Sequence, residues 1–171
     1  MLGGLRPGTI TVMSEKQKAF LRHHWEEIHQ LTGQPFGYEI LERNDFVYDT
    51  EPAARAVVVV QQLQALLAFD FFKAIQAAFY VKGRDTNVLE TYLELCDDFF
   101  IDRAVFATLF EQEAIRIQTE ANFEQARMLG VMGFPTVLLR QGQTHKLLAR
   151  GYDSAENMAA RLEHWRIKWE I

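Results

Sequence analysis

The spacing of apolar side chains along the chain predicts a mostly helical protein. Ser14 and Gln17 have the form of a capping box, and the helix that follows continues to about Leu31. Thr32–Pro35 ends this helix with a glycine and then a proline. Asp49–Pro52 carries the start signals of a second helix. This second helix extends through residues 53–64, and further helices are expected at 66–81, 86–100, 102–110 and 112–129.

Two segments of this region allow more than one interpretation. The run Val57–Val60 has strand propensity, but the start signal before it and the alanines and glutamines around it favour a helix. The aromatic side chains between Phe69 and Tyr80 are interpreted as core packing rather than as a peptide-binding groove. This part of the chain, about 50–115, is therefore predicted to be a block of packed helices.

The pattern changes after Leu129. Residues 130–135 predict a loop, and residues 136–140 and 145–150 predict two strands joined by a turn at 141–143. A helix capped by Asp153 follows, with an apolar stripe of Met158, Leu162, Trp165 and Trp169. At the other end of the chain, Leu2–Leu5 is expected to be the tail of a strand, and Arg6–Gly8 a turn.

Composition narrows the class of function. The chain has 171 residues, of which 49% are hydrophobic and 24% charged, which is typical of a soluble globular protein. The formal net charge of −5 argues against nucleic acid and against an anionic membrane as partners. No charged segment followed by an apolar run precedes residue 13, and apolar stretches reach only about a dozen residues, too short to span a bilayer. A cytoplasmic protein of bacterial type is expected.

Cysteine and histidine usage excludes several kinds of site. Cys96 is the single cysteine, so neither a disulfide within the chain nor a thiolate zinc site is expected. It falls in the middle of a predicted helix beside Asp97 and Asp98, where neighbouring carboxylates raise a thiol pKa. We interpret it as a small buried apolar side chain. His23, His24 and His29 lack the helical spacing that metal ligands prefer, so no metal site is predicted.

Several short motifs, in order and over nearly the whole chain, resemble the DsbA-like branch of the thioredoxin superfamily. These are Gly3–Gly8, His23–Trp25, Asp49–Ala53, Gly133–Thr136 and Arg150–Tyr152. The resemblance implies an α/β thioredoxin-like fold with an inserted all-helical subdomain. Residues 1–49 and 116–171 would form the thioredoxin-like domain, and residues 50–115 the helical insertion.

The resemblance also implies a departure at the start of the chain. The family begins with a strand, a Cys-x-x-Cys motif opening a helix, and a second strand that would end near Leu2. Relative to that pattern the fold is incomplete at the N-terminus. Either the sequence is a fragment of a longer protein, which we favour, or it is a short protein that completes its sheet by pairing with another chain.

The family resemblance implies a site and a chemistry. Thiol–disulfide exchange needs an accessible thiolate and a resolving thiol, and Cys96 supplies neither, so the chain as given is expected to be inactive. The loop Gly133, Phe134, Pro135 and Thr136, with a cis Pro135, would hold a substrate peptide in strand-like pairing. Site-lining positions implied by the resemblance are Gly3, Gly4, Arg6, Asp49 and Thr50, although Asp49 and Thr50 are read first as helix caps.

The predicted partners are disulfide- or thiol-containing proteins or peptides, or glutathione, with no cofactor. Two alternatives stay open. One is a fragment of an enzyme like glutathione transferase kappa and its isomerase relatives, and the residue type upstream would decide. The other is a non-catalytic peptide-binding or assembly module, whose signature would be a homodimer through open sheet edges.

Overall fold

The protein is described here by a computed structural model that covers residues 2–169, with side chains described through Arg166. It contains eight α-helices and two strands within that range. In chain order they are α1 (Glu15–Thr32), α2 (Glu39–Glu42), α3 (Glu51–Gln64), α4 (Ala68–Tyr80), α5 (Leu89–Asp98), α6 (Arg103–Phe110), α7 (Glu113–Met128), β1 (Thr136–Gln141), β2 (Thr144–Arg150) and α8 (Ala155–Trp169). The fold is mixed α/β, as predicted.

The chain divides into two compact units. The larger unit is Arg6–Ala121, and the smaller unit is Met1–Leu5 together with Asn122–Ile171. Helix α7 therefore begins in one unit and ends in the other. Compactness and the domain pattern of a family are different properties, so the division into residues 1–49, 50–115 and 116–171 stays a prediction.

The start and end of α1 follow from local chemistry. The Ser14 hydroxyl accepts a hydrogen bond from the Gln17 N–H, and the Gln17 side chain accepts one from the Ser14 N–H, which confirms the capping box. Gly33 ends the helix in the left-handed conformation, with φ of 71°, and its N–H donates to the His29 carbonyl over 2.8 Å.

The core of the larger unit around α1 is aromatic. Trp25 is 2% exposed, and its ring lies 5.3 Å from the Tyr80 ring and 5.5 Å from the Phe36 ring, between centroids. Phe79 is also buried and meets the Trp25 ring edge-on at 6.0 Å. These edge-on and stacked contacts attach α1 to α4 and to the connection between α1 and α2.

Helix α3 confirms the helical interpretation of the valine run. Val57, Val58, Val59 and Val60 are all in the helix and at most 3% exposed. A short 3-10 helix, Ala65–Leu67, separates α3 from α4. In α4 the predicted core role holds for Phe71 and Phe79, which are buried, but Phe69 is 71% exposed.

The stretch Glu51–Tyr80, which joins α3, the 3-10 helix and α4, is long and apolar enough to cross a membrane by length and composition alone. Its most apolar window has a mean hydropathy of 1.4, and 33% of that window is buried inside the protein. The core helices of soluble proteins pass the same test, so this is weak evidence for a membrane span.

Three expectations for the helical block and the chain start were wrong. Residues 39–42 form the unpredicted helix α2, and α5 begins at Leu89 rather than at Thr86. Residues 2–5 contain no strand, and the Leu2 N–H instead faces the Asn122 side-chain oxygen at 3.4 Å. A bridge between Val12 and Val47 supplies strand-like pairing that the pattern did not predict.

The smaller unit contains the predicted hairpin. Strands β1 and β2 pair antiparallel from Thr136 opposite Arg150 to Gln141 opposite Thr144, with a register shift between Val137 and Leu138. Gly142, with φ of 57°, makes the turn. The hairpin is therefore as predicted, with a bulge added.

Helix α8 differs from the prediction in its cap and in its stripe. Ser154 caps it, because its hydroxyl accepts from the Asn157 N–H, while the Asp153 carboxylate pairs with Arg161 at 2.9 Å. Of the predicted stripe, Met158 and Trp165 are half-buried and Leu162 is 48% exposed. The Trp169 side chain lies outside the described residues.

Replacing Trp25 by alanine is expected to lower the free energy of unfolding by about 3–5 kcal/mol, because it removes the ring at the centre of the aromatic core. Urea denaturation followed by circular dichroism measures this loss. Phe20→Ala, on the same helix but at a side chain that is 63% exposed, is the matched control and should cost less than about 1 kcal/mol. Equal losses in the two variants would contradict the assignment of the core.

Candidate functional site

The loop before β1 is held at both of its ends by hydrogen bonds. The Phe134–Pro135 peptide bond is cis. The Thr136 hydroxyl donates to the Gly133 carbonyl over 2.6 Å, and the Gly151 N–H donates to the Pro135 carbonyl over 2.8 Å. Gly151 has a φ of 78°, which glycine adopts without strain. The predicted substrate loop is thus bound to the first residue of β1 and to the residue that follows β2.

Phe134 is the residue of this loop that is free to bind. Its side chain is 47% exposed. Within the described part of the chain, neither its N–H nor its carbonyl has a hydrogen-bond partner. A backbone donor and acceptor without partners on one residue can pair with an extended peptide, as an open strand edge does.

Gly3 contacts the ring of Phe134. A Cβ atom built on Gly3 would lie 1.7 Å from Cζ and 2.1 Å from Cε1 of that ring, far inside contact distance. Position 3 therefore has no room for a side chain while the Phe134 ring is where it is. Gly4, next to it, is half-buried. The structure brings together two of the residues that the sequence places at this loop, Gly3 and Phe134.

A second group of predicted residues meets in the larger unit, at the start of α3. The Arg6 N–H donates to the Thr50 hydroxyl over 3.0 Å, and the Thr50 N–H faces the Arg6 carbonyl at 3.4 Å. One Asp49 carboxylate oxygen accepts from the N–H groups of Gly8 and Glu51, each over 2.9 Å. Asp49 and Thr50 thus bind residues 6–8, and we call these contacts the Arg6 clamp.

Asp49 and Thr50 differ in how they cap the start of α3. Thr50 occupies the N-cap position of α3, but its side chain makes no capping bond, since its hydroxyl serves Arg6. The Asp49 carboxylate both satisfies the first N–H of the helix and holds Gly8. The expectation that Asp49 and Thr50 are caps first is therefore right for Asp49 and wrong for the Thr50 side chain.

The side chain of Arg6 lies against Tyr48. Its guanidinium carbon is 5.2 Å from the centre of the Tyr48 ring, within the range of a cation–π contact. The Tyr48 hydroxyl is 3.3 Å from the Tyr80 hydroxyl. Burial raises the pKa of Tyr48 well above its usual value, with Tyr80 adding to the effect, so this ring stays neutral.

The sequence profile of the DSBA-like thioredoxin domain matches residues 5–163. The chain belongs to this family. The profile covers most of the chain, including the loop at Pro135 and the Arg6 clamp, which agrees with the resemblance stated from the motifs.

Solved structures agree with the family. A candidate protein disulfide isomerase from Nitrosomonas europaea superposes with a TM-score of 0.90 at 34% identity, over 95% of this chain and 79% of that one. The cytosolic disulfide reductase DsbM from Pseudomonas aeruginosa superposes with a TM-score of 0.76 at 25% identity, over 94% of this chain and 82% of that one. The structure of the same reductase with GSH superposes with a TM-score of 0.73 at 28% identity, over 96% of this chain and 81% of that one. No curated protein sequence matches the chain.

Cys96 of this DsbA-like chain has the properties of a packed side chain. It lies in α5 and is 0% exposed. Burial, with a further contribution from the Asp97 carboxylate, raises the pKa of its thiol to about 12. A buried thiol that stays protonated is a poor nucleophile, which confirms the interpretation of Cys96 as an apolar packing residue.

The histidines on α1 are solvent-exposed. His23 and His24 each lie 3.4 Å from the Glu27 carboxylate, and His29 contacts the Gln34 carbonyl. Among the described residues, no group of three or more His, Cys, Asp or Glu side chains is arranged to hold a metal ion.

Sequence reasoning missed the buried ion pair next to the clamp. Arg55 is 5% exposed, and its Nε lies 3.1 Å from the Glu51 carboxylate. Its Nη1 donates to the Phe110 carbonyl over 3.0 Å, and its guanidinium lies 4.0 Å above the Phe110 ring. The four-residue spacing of Glu51 and Arg55 was a usable signal. Tyr48 gave no signal, because its role depends on residues far away in the sequence.

Burial dominates the electrostatics of this ion pair. It raises the pKa of Glu51, against the opposing charges of Arg55 and Arg116, and it lowers the pKa of Arg55. Removing one partner would leave the other charge buried and unpaired, which is costlier than removing both. The pair lies at the start of α3, directly after Asp49 and Thr50, which bind Gly8 and Arg6.

Replacing Gly3 by alanine is expected to displace the Phe134 ring and to destabilise the fold by up to about 1 kcal/mol, because the new methyl group overlaps the far end of a half-exposed ring that can move aside. In a Phe134→Ala background the same change should cost little, since the ring is absent. Thermal unfolding of the four variants of this double-mutant cycle measures the coupling. Gly133→Ala, where an added Cβ meets nothing within 4 Å, is the control. An unchanged cost in both backgrounds would contradict the contact.

Proposed function

We propose that this DsbA-like chain binds disulfide- or thiol-containing peptides and proteins, or glutathione, along the loop Gly133, Phe134, Pro135 and Thr136. The observation that carries the proposal is the exposed Phe134, whose N–H and carbonyl lack partners among the described residues. The extended backbone of a substrate would pair with these two groups. Gly3 and Gly4 would line the same loop.

The neighbours support the substrate class. One is described as a disulfide reductase, and one of its structures contains GSH. A disulfide reductase acts on disulfides and GSH carries a thiol, which fits the family of this chain. By the same comparison we propose a cytoplasmic location in a bacterium, since DsbM is described as cytosolic.

Catalysis of thiol–disulfide exchange needs groups beyond those that bind the substrate. Exchange requires a thiolate that attacks a disulfide sulfur and a second thiol that resolves the mixed disulfide. Cys96 is buried and its thiol pKa is about 12, so it would serve as neither. We propose that the chain as given binds substrates of this class without turning them over.

Two other functions keep some support. A glutathione-dependent enzyme like glutathione transferase kappa would share the helical block and the same ligand class. An assembly module would use the open edge of β1, which pairs with β2 alone among the described strands, beside the exposed Val137 and Leu147. In that case the partner would be a second copy of the chain, joined as a homodimer.

The chain as given should not accelerate the reduction of insulin by dithiothreitol, and Cys96→Ser should behave like the unmodified protein. The thiol of Cys96 should also resist Ellman's reagent at pH 8, because at a pKa of about 12 only on the order of one thiol in ten thousand is ionised. Urea should expose it to reaction. Turnover of insulin that depends on Cys96 would overturn the proposal of inactivity.

Substrate binding is expected to shift the amide resonance of Phe134. A suitable probe is a capped pentapeptide with S-methylcysteine at its centre, titrated against labelled protein and followed by NMR. Methylation of the central peptide N–H should weaken binding roughly fivefold, because one backbone hydrogen bond is lost. Methylation at a terminal residue is the control. Shifts confined to other parts of the chain, with Phe134 unchanged, would contradict the proposal.

A further inference from the structure

The outer face of α1 carries a line of four exposed side chains, two of them apolar and two ionisable. They are Phe20, His24, Glu27 and Leu31, and we call them the α1 stripe. Phe20 is 63% exposed and Leu31 is 66% exposed. The whole stripe lies in the larger unit, on the side of α1 away from the buried Trp25.

The spacing of the α1 stripe is that of a seam between two packed helices. Its members are separated by four, three and four residues, which keeps them on one line along the helix. Side chains repeated at alternating steps of three and four residues pack against a second helix in coiled coils. Phe20 and Leu31 lie about 16 Å apart along the axis, so the stripe is a short seam with apolar ends and a polar centre.

The α1 stripe is complementary to a second copy of itself when the two helices run antiparallel. A twofold axis between residues 25 and 26 places Phe20 against Leu31 of the second copy. The same axis places His24 against Glu27 of the second copy. Each contact occurs twice, because such an interface uses the same surface on both chains. Parallel helices would instead place the two Glu27 carboxylates opposite each other, so the charges favour the antiparallel arrangement.

The polar centre is already oriented for this contact. The His24 Nδ1 lies 3.4 Å from the Glu27 carboxylate, and the His24 ring stacks on the Phe20 ring with 6.1 Å between centroids. Among the described residues, the second ring nitrogen of His24, Nε2, has no hydrogen-bond partner. The Glu27 carboxylate also lies 3.4 Å from His23, but its two oxygens can accept further bonds. Nε2 can therefore donate to Glu27 of the second copy at little cost in side-chain entropy.

We propose that α1 is a homodimerisation surface, on which the α1 stripe of one chain packs antiparallel against the α1 stripe of a second copy. This inference goes beyond the proposed function, since the stripe includes neither the loop at Pro135 nor the edge of β1. Four side chains from each chain make a small interface, and interfaces below about 1,200 Å² belong to weak complexes. The dimer should therefore form only above about 10–100 µM.

Sedimentation equilibrium from about 5 to 500 µM spans this range. Salt at about 0.15 M screens the repulsion between two chains that each carry a formal net charge of −5. Phe20→Ala and Leu31→Ala are each expected to weaken the dimer roughly tenfold, because each removes two apolar contacts per dimer. Phe69→Ala, at an α4 side chain that is 71% exposed and outside the stripe, is the matched control and should leave the dissociation constant unchanged.

The polar centre is tested by exchanging its charges. His24→Glu puts carboxylates at both central positions, and Glu27→Lys puts basic groups at both. Each variant alone is expected to dimerise roughly tenfold more weakly, because like charges then face each other across the axis. An equimolar mixture should form the heterodimer about as readily as the unmodified chain dimerises, since each carboxylate then faces a basic group. Circular dichroism of each variant checks that the helix content is unchanged.

A paramagnetic label reports the direction of pairing. Lys16→Cys introduces an exposed thiol near the start of α1, and Cys96 does not compete for the label because it is buried. The labelled chain is mixed with an unmodified chain enriched in ¹⁵N. Antiparallel pairing should broaden the amide resonances near Gly33 of the enriched chain and spare those near Lys16, because the two helix starts would lie about 28 Å apart.

Three results would overturn the inference. The first is a monomer at every concentration, which is also the result expected if the stripe binds a different protein. The second is a dimer that Phe20→Ala and Leu31→Ala leave unchanged, as pairing through the edge of β1 would give. The third is broadening near Lys16 instead of Gly33, which indicates parallel helices. None of these results changes the binding of the thiol peptide probe at Phe134, so the proposed function is tested separately.

Discussion

The backbone N–H and carbonyl groups of residues 6–13 need hydrogen-bond partners at the edge of an aromatic core, and residues 46–50 supply several of them. The Met13 N–H donates to the Phe46 carbonyl over 2.9 Å, and Val12 bridges to Val47. Further along, Thr50 and Asp49 bind Arg6 and Gly8. Met13 and Phe46 are themselves buried in the cluster around Trp25. Because unpaired backbone groups are costly at such an edge, this pairing links the start of α1, the core and the start of α3.

Those aspects of the fold that depend on neighbours in sequence could be predicted. The capping box at Ser14, the glycine at the end of α1 and the hairpin turn at Gly142 all follow from short-range chemistry. The late start of α5 could not. Its expected first residues are held elsewhere, since the Asn87 side chain donates to the Val47 carbonyl and Tyr92 donates to the Thr86 carbonyl. Only the bond between Asn87 and Val47 joins residues far apart in sequence, so one tertiary and one short-range hydrogen bond accompany the later start of α5.

The candidate site shows the same division. The loop at Gly133–Thr136 was recognisable from its residues, and Cys96 could be judged inert from its position on a helix. The relation of Gly3 to Phe134 and of Arg6 to Tyr48 was not predictable, because each joins residues that are distant along the chain. The ion pair of Glu51 and Arg55 was predictable in part. Its four-residue helical spacing can be read from the sequence, but its burial cannot.

The valine run of α3 has a consequence for how this protein folds. Four β-branched residues in succession lower the intrinsic stability of a helix, and a helix of 14 residues is marginal in water even with a better composition. What holds Val57–Val60 in helical form is their complete burial against the surrounding helices. Helix α3 should therefore form together with its neighbours rather than before them, so that its helical content reports tertiary assembly. Because Asp49 and Thr50 directly precede the first residue of this helix, the Arg6 clamp should be completed only as the larger unit folds.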